Sequence, residues 1–132
     1  MKYKRYLFSI PLILASITIF IASHQEGVPF DTSIFIFQDK VMHFFAYTIY
    51  GYTIQLYLKS LNLAKSKYIM FTIIIGSLFG FSDEFHQYFI PNRSTEFFDW
   101  VADTLGVSFS LVFSKYISIF YNYLYNKLNK NS

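Results

Sequence analysis

The chain has 132 residues, of which 54% are hydrophobic and 14% are charged, and its formal net charge is +3. An ordinary soluble domain carries about 25% charged residues, so the composition excludes a typical soluble fold and favours an integral membrane protein. The length allows about four spans of around 20 residues and leaves no room for a second domain. Because the chain has no cysteine, disulfides and thiolate sites are excluded.

Four hydrophobic segments predict an all-α integral membrane protein, a four-transmembrane-helix bundle that forms a single domain over residues 1–132. The predicted spans cover residues of about 6–22, 40–58, 68–89 and 97–121. A basic start makes the first segment similar to a signal peptide, but it lacks a small-x-small cleavage site, so we interpret it as an uncleaved span. Residues 34–37 are too few to cross and are expected to lie in the interface.

Local signals indicate how the spans end and pack. Pro91 is expected to end the third helix, which we predict to continue until close to that residue. Either Ser94 or Thr95 is expected to cap the fourth helix. Gly76 and Gly80 have the small-x-x-x-small spacing that allows helices to approach closely.

The charge distribution predicts the orientation. All Lys and Arg residues except Lys40 and Arg93 fall on one side, which the positive-inside rule assigns to the cytoplasm together with both termini. All eight acidic residues fall in the outer loops or the outer turns of the spans. This separation across a membrane differs from the basic patch of a nucleic-acid-binding protein, so we expect membrane lipids and no nucleic acid as partners.

Polar side chains recur three or four residues apart near the outer end of three spans. They are Asp39, Lys40 and His43 in the second span, Asp83, Glu84 and Gln87 in the third, and Asp99 and Asp103 in the fourth. Residues at this spacing share one helix face, and charged groups in a membrane normally face the bundle interior and pair there. The three polar stripes therefore predict a common pocket that opens to the outside.

The pocket residues are candidates for two kinds of role. The candidate catalytic residues are His43, Asp83, Glu84, Asp99 and Asp103, and the candidate substrate-binding residues are Lys40, Gln87, Arg93 and Asp39. A structural interpretation competes for four of them. Asp39 and Asp99 stand near helix N-termini, where carboxylates act as caps, and Lys40 and Arg93 have the length to reach lipid head groups.

The sequence allows a metal site but does not favour one. The carboxylates, His43 and His86 are suitable ligands for Mg²⁺, Mn²⁺ or Zn²⁺. However, the chain has no H-E-x-x-H motif and only one acid-x-x-His, where a di-iron bundle needs two. We therefore assign no cofactor, leave a divalent metal open, and expect His86, near a helix end, to face solvent.

Four motifs in order resemble the VanZ-like family over nearly the whole chain: Asp39-Lys40-Val41-Met42-His43-Phe44, the segment 82–89, Pro91-Asn92-Arg93, and Asp99 through Asp103 to Gly106. The resemblance implies a small bacterial multispan membrane protein, and the founding member of that family is linked to resistance against the glycopeptide teicoplanin. Where many relatives carry Asn, this chain has Asp103, and a second carboxylate beside Asp99 would alter the charge or metal affinity of the pocket.

Three functions remain open. The first is an enzyme, or an enzyme-like site, that acts on a lipid-linked or cell-envelope substrate, with Arg93 and Lys40 holding a phosphate or carboxylate. The second is a non-enzymatic pocket for a lipid-linked cell-wall precursor, a glycopeptide or an envelope partner. The third, a transporter, is disfavoured because the inner halves of the spans lack acids and histidines. The sequence leaves the oligomeric state undecided, and also whether the role is resistance or housekeeping.

Overall fold

The computed structural model describes residues 2–26 and 37–130, with side chains from Arg5 onward. Five helices make up this part of the chain: α1 (Lys2–Ser23), α2 (Gln38–Ser60), α3 (Lys65–Gln87), α4 (Phe97–Ser110) and α5 (Ser114–Lys130). A short 3-10 turn, Leu111–Phe113, joins α4 to α5. The all-helical class is confirmed. The predicted interfacial segment 34–37 lies outside the described residues except for Phe37, which precedes α2.

Three local predictions are corrected. α3 ends at Gln87 rather than at residue 89, because the Tyr88 and Phe89 amides donate to Glu84 and His86 in turns that close before Pro91. Glu96 precedes α4 without a side-chain cap, so the prediction of a Ser94 or Thr95 cap is wrong. The last helical stretch continues to Lys130 rather than to about residue 121, since no Gly or Pro follows Gly106 to stop it.

In the described part of the chain, three helical stretches are long and apolar enough to cross a membrane: Arg5–Ser23, Lys65–Gln87 and Phe97–Lys130. The 23-residue α2 is not among them, although it contributes nine buried residues and packs against α1, α3, α4 and α5. A helix enclosed by other helices can carry polar groups that a lipid-facing helix cannot. The count of four spans and the cytoplasmic termini therefore stay predictions.

Small residues allow α4 to approach its two main neighbours closely. A Cβ added to Gly106 would lie 2.3 Å from the carbonyl oxygen of Phe44 on α2. A Cβ added to Gly80 on α3 would lie 2.8 Å from Asp103 Oδ2, and Gly76 also lies against α4. The spacing of Gly76 and Gly80 therefore marks a close helix contact, as predicted. These contacts bring together the three helices that carry the polar stripes.

A compact core lies along α2 and extends from Tyr47, which is hydrogen-bonded to Asp83, toward the helix ends that lack acids. Its apolar part is built from Tyr47, Tyr50, Ile54, Leu58, Tyr68 and Val107. The fully buried Gln55 is hydrogen-bonded on both sides, since Tyr68 Oη donates to its Oε1 at 2.7 Å and its Nε2 donates to Ser110 Oγ at 2.8 Å. The sequence analysis missed this network, which fixes α2 against α3 and α4.

We expect Gly106→Ala to destabilise the protein by about 1–3 kcal/mol, because the new methyl group must push α4 away from the Phe44 carbonyl. Thermal unfolding in detergent measures the effect. Leu105→Ala is the matched control, since Leu105 is 57% exposed on the same helix and should change the midpoint little. Equal midpoints for Gly106→Ala and the wild type would contradict the close α2–α4 contact.

Candidate functional site

His43, Glu84 and Asp103 meet where α2 and α4 begin and α3 ends, which we call the site end of the bundle. His43 Nδ1 lies 2.9 Å from Asp103 Oδ1 and 3.8 Å from Glu84 Oε1. The His43 side chain is 10% exposed, whereas Glu84 and Asp103 are buried. The structure thus brings together one residue from each predicted polar stripe.

Asp39 lies on the other side of the His43 ring. Its Oδ1 is 3.9 Å from His43 Nε2, one helical turn along α2, and its side chain is 55% exposed. Asp39 sits in the first turn of α2, but the N-cap residue is Phe37, so the capping interpretation of Asp39 is wrong. A carboxylate in the first turn still interacts favourably with the helix dipole.

Lys40 contacts two carboxylates: that of Glu96, the N-cap residue of α4, and that of Asp99 in the first turn of α4. Its Nζ lies 2.7 Å from Glu96 Oε2 and 3.1 Å from Asp99 Oδ1. The Lys40 side chain is 23% exposed and that of Asp99 is 1% exposed. Asp99 therefore pairs with Lys40 instead of capping α4, and Lys40 is drawn into the bundle rather than toward lipid head groups.

Asp83 and Gln87 face α1 and α2 rather than the His43 cluster. Asp83 Oδ2 accepts hydrogen bonds from Tyr47 Oη at 3.2 Å and from Gln87 Nε2 at 3.4 Å. Gln87 Nε2 also lies 3.3 Å from Ser23 Oγ, to which it donates. The sequence analysis missed Tyr47 and Ser23. The position of Tyr47, four residues after His43 on the same helix face, was the available signal.

Arg93 lies in the turn between α3 and α4 and lines a cleft of about 200 Å³ with His43, Asp39, Asp83 and Gln87. We call it the polar cleft after these side chains, although apolar atoms form most of its surface. Among the described residues Arg93 has no carboxylate within ion-pair distance, and its buried Nε has no hydrogen-bond partner. The guanidinium is therefore placed to receive an anionic group that enters this cleft.

A second cleft, of about 390 Å³, opens between α3 and α4 and is almost entirely apolar. Five aromatic residues line it, namely Phe81, Phe85, Tyr88, Phe97 and Trp100, and Glu84 is also among its lining residues. Trp100 Nε1 donates to the Ser77 carbonyl at 3.0 Å, which fixes the indole ring. The sequence analysis missed this cleft because its aromatic residues are not distinguishable from lipid-facing ones by spacing.

Glu84 also supports the turn that carries Arg93. Its Oε2 accepts the backbone N–H of Glu96 at 3.3 Å, and its carbonyl oxygen lies 3.4 Å from Thr95 Oγ1, which donates to it. One oxygen of this carboxylate therefore positions the start of α4, while the other faces His43.

His86 is not part of the His43 cluster. Its Nε2 lies 3.2 Å from Nδ1 of His24 at the end of α1, and the two rings stack with centroids 5.4 Å apart. His86 is only partly exposed, whereas it was expected to face solvent, because its ring packs against Phe20 and His24. It is not in the ligand group that contains His43.

The sequence model of one protein family, described as VanZ/LLP1, matches residues 5–120 of the chain. No curated protein matches the chain, and no solved structure does.

Replacing Lys40 by Met should cost about 3 kcal/mol of stability, because it leaves the buried Asp99 carboxylate without its cation. The double variant Lys40→Met/Asp99→Leu should recover most of that loss, since it removes both charges. Thermal unfolding of the two single variants and the double variant in detergent measures the coupling. Additive losses would show that the two side chains do not interact.

Proposed function

The chain belongs to the VanZ/LLP1 family, and from that premise we propose a four-span protein of the bacterial cytoplasmic membrane that binds the anionic head group of a lipid-linked cell-envelope precursor. The site end faces the outside of the membrane and both termini lie in the cytoplasm. By occupying this precursor, the protein lowers susceptibility to the glycopeptide teicoplanin, as the family resemblance implies.

The length and enclosure of α2 support the four-span arrangement. A 23-residue helix is about 35 Å long, which is enough to cross a hydrocarbon core of about 30 Å. Its partners cover the polar side chains that lower its hydropathy. The acids at the site end and the lysines toward the opposite helix ends support the orientation.

The observation that carries the proposal is that His43, which lines one cleft, and Glu84, which lines the other, lie side by side. Glu84 lines the apolar cleft, His43 lines the polar cleft, and their side chains approach to 3.8 Å. A ligand with a long apolar chain and an anionic head fits both environments at once. A lipid-linked precursor has this chemistry, whereas a soluble anion would leave the aromatic cleft unused.

Arg93 is the head-group ligand in this proposal. A guanidinium without a protein carboxylate can form a bidentate pair with a phosphate. Lys40 is engaged by Glu96 and Asp99, so its role is to position α4 beside the cleft. Arg93 and Lys40 were both predicted to bind the substrate, but in this proposal only Arg93 contacts it.

A second candidate function is hydrolysis or phosphoryl transfer on the same precursor. The contacts of His43 with Asp103 and Glu84 favour it, because an imidazole oriented by carboxylates is a common general base. Release of labelled product from a lipid-linked precursor by the purified protein would support the enzyme over the binding protein.

Arg93→Gln should weaken precursor binding about 10- to 100-fold, because it removes a charged hydrogen bond of about 1.5–3 kcal/mol. It should also raise the susceptibility of an expressing strain to teicoplanin. Arg93→Lys should retain part of the affinity. Lys115→Gln, which removes a basic residue from α5, is the matched control. Native mass spectrometry with added precursor measures binding, and unchanged affinity in Arg93→Gln would refute the proposed head-group site.

A fluorescent protein, which reports the cytoplasm, should be active after Ser132 and inactive at Asn92. Alkaline phosphatase, which reports the outside, should be active at Asn92 and inactive after Ser132. Matched fusions of a fluorescent protein and alkaline phosphatase at both positions read the two sides independently. Phosphatase activity after Ser132 would overturn the proposed orientation.

A further inference from the structure

The buried charges around His43 do not balance among the described residues. Asp99 is paired with Lys40, and Asp83 accepts two hydrogen bonds. The buried carboxylates of Glu84 and Asp103, in contrast, share a single imidazole. Even a protonated His43 offsets only one of these two negative charges, and an uncompensated buried charge is strongly unfavourable.

Two carboxylate oxygens at this point also lack hydrogen-bond partners within the described part of the chain. They are Glu84 Oε1 and Asp103 Oδ2, both fully shielded from solvent. Asp103 is 0% exposed and Glu84 is 5% exposed. Glu84 Oε1 faces His43, whereas Asp103 Oδ2 lies on the Gly80 side. Buried polar atoms normally have a partner, so the orphaned Glu84 oxygen beside the imidazole indicates a missing cation or donor.

The geometry of the donors selects a cation. His43 Nδ1, one oxygen of Glu84 and one oxygen of Asp103 lie within 4.8 Å of one another. Two ligands bonded to one tetrahedral Zn²⁺ at about 2.0–2.1 Å lie about 3.3 Å apart. The separations of 2.9 Å and 3.8 Å from Nδ1 fall on either side of that value. We propose that His43, Glu84 and Asp103 bind a divalent transition-metal ion, either Zn²⁺ or Mn²⁺.

The Glu96 N–H is arranged as the outer contact of a metal ligand usually is, and the Asp39 carboxylate lies near His43 but beyond hydrogen-bonding distance. Asp39 lies 3.9 Å behind the second nitrogen of His43, and the Glu96 N–H donates to the second oxygen of Glu84. Metal-bound carboxylates are commonly oriented by such hydrogen bonds. With His43 neutral, a divalent ion would balance the two carboxylates completely.

The site also explains how an acidic pocket can receive an anion. The ion would lie between His43, which lines the polar cleft, and Glu84, which lines the apolar cleft, and its open positions would attract the head group that Arg93 contacts. That role toward a head group rests on the proposed function. The metal site itself rests only on the three side chains, so it is tested without any lipid-linked precursor.

The test is a titration of the purified full-length chain in detergent after removal of metals with a chelator. Mn²⁺ binding is followed by the electron paramagnetic resonance signal of the free ion, and Zn²⁺ binding by calorimetry. We expect one ion per wild-type chain. Asp103→Asn should weaken binding about 100-fold or more, because it removes a charged ligand. Its amide oxygen can still accept the His43 hydrogen bond, so the unfolding midpoint without metal should change little.

Further variants keep the result decisive. Glu84→Gln should weaken binding as strongly as Asp103→Asn, and it answers the question if Asp103→Asn fails to fold. Glu26→Gln removes an acid outside the cluster, and His86→Asn removes the separate His24–His86 pair, so both should retain the affinity of the Mn²⁺ site. Absence of a stoichiometric ion in the wild type, or wild-type affinity in both ligand variants, would overturn the metal site.

Failure of the metal site and failure of the proposed function are distinguishable. Metal binding that depends on Asp103, with no precursor binding, would refute only the proposed function. Precursor binding by a chain that takes up neither ion would refute only the metal site.

Discussion

The contact between the Gly106 backbone and the Phe44 carbonyl determines where the polar residues of the bundle meet. His43 directly precedes Phe44 on α2, and Asp103 lies one helical turn before Gly106 on α4. Because the two backbones touch at this point, the His43 and Asp103 side chains come within hydrogen-bonding distance. Gly80 leaves room for the Asp103 carboxylate on the α3 side, which allows Glu84 to complete the cluster.

The central position of α2 accounts for its unusual composition. Lipid-facing helices such as α1 must be apolar over most of their surface, whereas α2 contacts other helices along much of its length. It can therefore carry Lys40, His43 and Gln55, each of which has a partner inside the bundle. Among the three helices of 22 or 23 residues, α2 is the least hydrophobic, and it is the one on which the pocket and the core depend.

Most of the architecture could be predicted from the sequence, because helix-length apolar segments and i, i+4 polar spacings are local signals. The same spacings predicted that His43, Glu84 and Asp103 share a pocket. The sequence could not predict that Asp83 turns toward Tyr47, or that Lys40 pairs with Asp99 and Glu96. Side-chain partners across helices depend on helix rotation, which one-dimensional spacing does not determine. The capping interpretation of Asp99 failed for this reason.

The pocket combines three features, each suited to a different part of a ligand. An aromatic cleft suits an apolar chain, Arg93, which has no carboxylate partner among residues 5–26 and 37–130, suits an anion, and a buried carboxylate pair suits a metal ion. In the proposed site, which would face the outside, an ion would offset the charge of Glu84 and Asp103. The ligands of this ion would be the imidazole of His43 and the carboxylates of Glu84 and Asp103.

Electron spin-echo spectroscopy of Mn²⁺ bound to the full-length chain tests this claim most directly, because it detects nitrogen bonded to the ion. The account predicts modulation from one imidazole nitrogen in the wild type and in His86→Asn, and its loss in His43→Gln. Bound Mn²⁺ without nitrogen coordination, or coordination that persists in His43→Gln, would contradict it.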